Sequence, residues 1–146
     1  MDNFPKVMSS WFLMEILHSL YGLGIFDELK KNSKGLSVER LSQLTKTKNL
    51  ELKTSLDFVS LHLPDILERG KGSVYRLTTV YDSRTFQNLL HFSRSYAPVV
   101  HSVSELTAGT KLYGPDVARD SSALSISSEL YIQITIKEVI DLVLSN

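Results

Sequence analysis

From Val7 to Tyr21, ten of fifteen positions are apolar, and Glu15, His18 and Ser19 form one narrow polar stripe. This spacing predicts a helix whose apolar surface is wider than a surface helix needs, so it is expected to be covered on more than one side. In a small domain the extra cover would come from another chain. Gly22 suits a left-handed cap at the end of this helix, and Gly24 opens a short second helix over Ile25 to Lys31.

The middle of the chain changes rhythm. Ser37 can cap a helix that carries Val38, Leu41 and Leu44 on one face, with Glu39 in its first turn. Arg40 stands where a full capping box would place Glu or Gln. After the polar turn Thr45 to Lys48, Asn49 is placed to cap another helix carrying Leu52, Leu56, Val59 and Leu63, and Pro64 stops it. Two short runs, Ile66 to Arg69 and Val74 to Leu77, flank Gly70-Lys71-Gly72 and read as a β-hairpin. Helix, helix-turn-helix and hairpin, in that order, predict a mainly α fold. It is a winged helix-turn-helix with a small β-hairpin wing and additional N- and C-terminal helices.

The last part returns to helix. Asp82 or Ser83 can cap a segment with Phe86, Leu89, Leu90 and Phe92, which Pro98 is expected to bend or break. Gly109 reads as a stop and Tyr113 to Asp116 as a turn; Ser121 or Ser122 then starts a helix that runs to an apolar C-terminus resembling a cut.

Composition narrows the function classes. The chain has 146 residues, sixteen basic and sixteen acidic side chains and no cysteine. Disulfides, thiolate metal sites and cysteine nucleophiles are therefore excluded. The longest charge-free stretch is eleven residues, Ile16 to Phe26, against the ~20 that a membrane-spanning helix needs. With no basic leader before an apolar core, the expected location is cytoplasmic, without a membrane partner. The charge is uneven, because residues 30–76 hold ten bases against five acids. A winged helix with such a middle raises a DNA-binding regulator as one reading, with Lys30, Lys31, Lys34, Lys46, Lys48, Lys53, Arg69, Lys71 and Arg76 as phosphate contacts. Against it, Leu50 to His62 contains no Arg, Asn or Gln to read base edges, so nucleic acid is the less favoured partner.

Catalytic chemistry is sparse. The Gly-x-Gly pairs, Gly22/Gly24 and Gly70/Gly72, fall between helices and in a hairpin, where neither makes a strand-to-helix phosphate or adenosyl loop. His18, His62, His91 and His101 have no i, i+4 pair, so no metal site is expected. His91 and His101 flank Pro98 and could line a cavity, while Asp116 and Asp120 read as loop and cap residues. No catalytic or cofactor-binding residue is assigned.

Four runs carry a resemblance: Leu17 to Leu29, Gly35 to Thr45, Leu56 to Leu67 and Val74 to Thr78. Together they resemble the N-terminal winged-helix dimerisation domain of class I S-adenosylmethionine-dependent O-methyltransferases. Leu89 to Val100 and Leu112 to Asp120 resemble the helical linker that follows it. The resemblance implies a dimerisation domain over residues 1–80 and a linker and substrate-capping segment over 81–146. Beyond these it implies an S-adenosylmethionine-binding, Rossmann-like domain that would begin past Asn146. It implies a homodimer with Val7, Trp11, Met14 and His18 at the subunit contact, and Tyr96, His101 and Tyr131 over the pocket of a small-molecule substrate. S-adenosylmethionine would belong to the full-length enzyme, so this region would not be catalytic alone.

Overall fold

The computed structural model describes the backbone of residues 4–144 and the side chains of 10–138, 140, 141, 143 and 144. Among the described residues there are seven α-helices and one three-stranded sheet, confirming a mainly α, winged-helix-like fold. The chain divides into two compact units, residues 1–82 and 83–146.

In the first unit, α1 (Phe4–Gly22) and α2 (Ile25–Lys31) meet at a tight junction. Gly24, and not Gly22, takes the left-handed conformation there, with φ of 71° at the start of α2. Leu17 and Leu20 of α1 and Ile25, Phe26 and Leu29 of α2 are buried. Next come β1 (Leu36–Ser37), α3 (Val38–Thr45) and α4 (Asn49–His62). Ser37 caps α3 by accepting the Arg40 N–H at 3.3 Å. At α4 the cap position belongs to Lys48, which makes no side-chain cap bond, and Asn49 is already helical. Leu52, Leu56 and Val59 form the buried stripe of α4, but Leu44 of α3 is exposed.

The wing is larger than a hairpin. β2 (Leu67–Arg69) and β3 (Val74–Leu77) pair antiparallel around a turn in which Gly72 and Ser73 both have positive φ. β1 adds a third strand on the other side of β3, giving the order β1-β3-β2. Gly35 makes that addition possible. Its φ is +85°, and a Cβ there would lie 2.6 Å from the Tyr75 carbonyl oxygen.

The second unit contains α5 (Arg84–His101), α6 (Val103–Thr107) and α7 (Ser121–Leu144). Ser83 caps α5 by accepting the Phe86 N–H at 3.3 Å. Pro98 neither breaks nor ends α5, which continues to His101. It is exposed and close to the C-terminal end, where its missing N–H costs a single helical bond. Asp120, and not Ser121 or Ser122, caps α7 by accepting the Ala123 N–H at 3.0 Å. The Ser95 carbonyl accepts the Asp120 N–H at 2.9 Å, and Ser127 reaches Asn88, so α5 and α7 run antiparallel. Buried positions here include Leu90, His91, Ser95, Val117, Ala123 and Ser127. No helix of the described residues is long and apolar enough to cross a membrane.

Candidate functional site

Helix α1 places Trp11, Met14 and His18 at i, i+3 and i+7, on one side. Trp11 is 48% exposed and meets Phe12 edge-on, with ring centroids 5.2 Å apart. Met14 and His18 are half-buried, and the side chain of Val7 lies outside the described residues. Two large aromatic rings thus stand open to solvent on a helix whose later turns are built into the core.

The basic middle is largely neutralised by its own acids. Asp57 on α4 receives the Lys53 ammonium at 2.6 Å, the Arg69 guanidinium at 3.1 Å and the Tyr75 hydroxyl at 2.5 Å. Burial pulls the Asp57 carboxyl upward, but these hydrogen bonds and positive charges outweigh it and leave its pKa below the ordinary value. Burial and the Asp57 charge push the Tyr75 hydroxyl well above its own. Arg76 pairs with Glu68 directly across the strands. Lys30 pairs with Asp82, Lys31 with Glu28 and Lys48 with Glu51. Of the nine candidate phosphate contacts, only Lys34, Lys46 and Lys71 lack an ion pair among the described residues. A groove of about 450 Å³ in this unit is lined by Lys30, Arg76 and their acidic partners, which leaves no net positive lining for an anion.

In the second unit, α5 and α7 enclose a cleft of about 340 Å³. Phe92, Leu124, Tyr131 and Ile132 form its apolar lining, and Asn88, Ser127 and Ser128 supply its polar groups. Ser127 donates to Asn88 Oδ1 at 2.6 Å. Of the residues expected over a substrate pocket, only Tyr131 lines this cleft, and it is 63% exposed. Tyr96 lies one turn from Phe92, with ring centroids 5.1 Å apart. Its hydroxyl accepts a hydrogen bond from Arg119 at 3.0 Å, and the guanidinium also sits 5.4 Å from its ring centroid. His101 is exposed at the end of α5 and His91 is buried, and neither lines the cleft. No cluster of His, Asp or Glu among the described residues could hold a metal ion.

Among solved structures, the chain is similar to N,N-8-amino-8-demethyl-D-riboflavin dimethyltransferase (RosA) from Streptomyces davawensis. The TM-score is 0.62 at 12% sequence identity, over 97% of this chain and 47% of that one. At that identity the likeness shows a shared fold. The chain spans about half the length of that dimethyltransferase. No family model and no curated protein sequence matches it.

Likeness to a methyltransferase makes S-adenosylmethionine the cofactor to test for, and the glycines of the described residues do not fit it. Gly22 and Gly24 join two helices, and Gly72 serves the β2–β3 turn. Gly35 precedes the only strand that runs straight into a helix among the described residues, but its open side is filled by the backbone of Tyr75. No backbone cradle for a ribose or a phosphate remains there.

Sequence reasoning missed the Asp57–Tyr75 pair, Arg119, Asn88 and Ser127. Lys53 at four residues from Asp57 was a readable signal. Tyr75 and Arg69 reach Asp57 only through the fold, and Ser127 lies 39 residues from Asn88.

Proposed function

We propose that this chain is the dimerisation and substrate-capping region of a small-molecule O-methyltransferase that uses S-adenosylmethionine, and that it is not catalytic alone. The observation that carries the reading is the likeness to a methyltransferase over 97% of this chain but 47% of the other. The exposed Trp11 and Phe12 support a homodimer formed through α1, with Val7, Met14 and His18 alongside. The open aromatic cleft of the second unit supports a place over a small-molecule acceptor. Cofactor and catalytic base would then come from chain outside these residues, in a cytoplasmic enzyme. The mutual neutralisation around Asp57 favours an architectural role for the helix-turn-helix over a DNA-reading one.

Light scattering on the 146-residue chain is expected to give a dimer. Trp11→Glu should raise its dissociation constant by at least about tenfold, since a charge would enter a desolvated apolar contact. A monomer whose behaviour Trp11→Glu leaves unchanged would overturn the reading. So would tight binding of S-adenosylmethionine by this chain alone, measured by calorimetry.

A further inference from the structure

We propose that the groove between α2 and the β2–β3 pair binds a small zwitterion, a molecule with one carboxylate and one ammonium group such as a free amino acid or a short peptide. Two ion pairs in its lining would receive it, Lys30–Asp82 and Arg76–Glu68.

The groove has a volume of about 450 Å³, within the ~300–1,000 Å³ of small-molecule pockets, and its lining residues all belong to the first unit. Lys30 donates to Asp82 at 2.7 Å and so joins α2 to the segment after β3. Arg76 pairs with Glu68, its directly opposed neighbour across the strands. Each of the four side chains is about half exposed. Ion pairs this exposed contribute little to folding, so they can open toward a ligand at small cost. The hydroxyls of Ser33 and Thr79 also line the groove and hold no hydrogen bond among the described residues.

Charge balance then decides between ligands. The lining carries two positive and two negative side chains. A lone anion that approaches Lys30 or Arg76 also meets Asp82 or Glu68, and attraction and repulsion largely cancel. A lone cation faces the converse. A molecule with both charges can set its carboxylate against an ammonium or guanidinium and its own ammonium against a carboxylate. Each charge of the protein then keeps an opposite partner. The second contact is made within a molecule already held by the first, at a high effective concentration. Ser33 and Thr79 remain to hydrogen-bond the ligand's carboxylate or a peptide group. The cancellation that disfavours a phosphate in this groove therefore favours a ligand of zero net charge with separated poles.

The test titrates the 146-residue chain, at fixed ionic strength, with glycine, glycylglycine, acetate and methylammonium. Binding is followed by NMR through the Arg76 side-chain N–H and the backbone amides of Ser33 and Thr79. At least one zwitterion should bind saturably, with Kd on the order of 1–10 mM, and both single ions should bind at least about tenfold more weakly. Tighter glycylglycine would assign the site to a peptide, tighter glycine to a free amino acid. Arg76→Gln leaves Lys30 facing two carboxylates, so the zwitterion should weaken by at least about threefold while methylammonium binds better. Glu68→Gln should weaken the zwitterion similarly and favour acetate instead. A loss of stability alone would not exchange the preference between the two single ions.

Acetate or methylammonium binding as tightly as the zwitterions would overturn the proposal. So would a zwitterion affinity that neither variant moves, or the absence of saturable shifts from both zwitterions up to about 100 mM. Neither result bears on the α1 dimer, whose own test is the oligomeric state.

Discussion

Helices α3 and α4 turn Val38, Leu41, Leu52, Leu56 and Val59 inward, while α5 and α7 turn Leu90, His91, Ser95, Ala123 and Ser127 inward and leave Leu89, Phe92, Ile132, Ile136 and Ile140 exposed. The first unit is built as an independent domain is built, around large apolar side chains removed from water. The second unit buries Leu90 and His91 beside small residues, with polar bonds such as Asp120 N–H to the Ser95 carbonyl. Apart from buried Leu90 and Val117, many of its large apolar groups face outward, along α7 in particular, where Ile132, Ile136, Ile140 and Val143 share one side. Clustered apolar exposure of this kind is one form that contact surfaces take in proteins. One unit buries many of its large apolar groups; the other leaves more of its own at the surface.

The largest expected effect tests the buried core of the first unit. Leu56 is fully buried in α4. Leu56→Lys places an unpaired ammonium there, and urea unfolding should register a loss of more than about 4 kcal/mol, or no folded first unit at all. Retention of near-normal stability would mean that this core is not what holds the unit together.

The polar clamp between helix and wing comes next. Asp57→Asn keeps a hydrogen-bond acceptor for Tyr75 but removes the charge facing Lys53 and Arg69, and it should cost about 1–2 kcal/mol at neutral pH. The native carboxyl has its pKa held below the ordinary value, so its contribution is present above the unfolded value of about 4 and is lost as pH falls through the native one. Acid unfolding of the Asn variant should therefore start from lower stability and show a shallower limb. An unchanged acid limb would mean that Asp57 does not link helix to wing.

This clamp also shows what local pattern can and cannot reveal. The limits of α2, the Ser37 cap and the buried stripe of α4 were legible, because each is written in residues within a turn or two of one another. β1 was not, since two residues make no periodic signal and pair with β3 only once Gly35 lets the backbones approach. Pro98 does not break α5 for the opposite reason: its rule is local, but its position near an exposed helix end makes the cost small. In α7 the apolar spacing was legible and its orientation was not, because periodicity reports a face without saying what it meets. Of the candidate site, α1 and Tyr131 could be reached by resemblance. Asn88 and Ser127 could not, as polar residues separated by 39 positions carry no joint pattern.

A smaller effect, about 1 kcal/mol or less, is expected from His91 in the second unit. Burial holds its imidazole below the ordinary pKa, the nearby Arg94 adds to this, and Asp120 opposes it. The folded chain therefore resists protonation while the unfolded chain takes up a proton from about pH 6.5 downward. Stability of α5 and α7 should be full above that pH, decline as pH falls toward the native pKa, and level off below it. Amide exchange in these helices, compared between the native chain and His91→Gln, should show the slope only in the former. The same slope in both would remove His91 as its source.

The smallest expected effect is the one most able to break the contrast between the units. Ile136 and Ile140 are apolar residues in a long helix, as Leu56 is, yet about half of each is exposed. If the outward face of α7 meets only solvent within a single chain, Ile136→Lys and Ile140→Lys remove no buried contact. Unfolding free energy, measured at concentrations where light scattering gives a monomer, should then stay within about 0.5 kcal/mol, the range of ordinary surface substitutions. The same exchange of an aliphatic side chain for an ammonium would thus be ruinous in α4 and neutral in α7, with solubility improved in α7 because an apolar stripe has been interrupted. A loss of about 2 kcal/mol or more in the monomer would show instead that the stripe is already packed within the chain. The second unit would then have a core of its own, and its outward apolar face would need no partner.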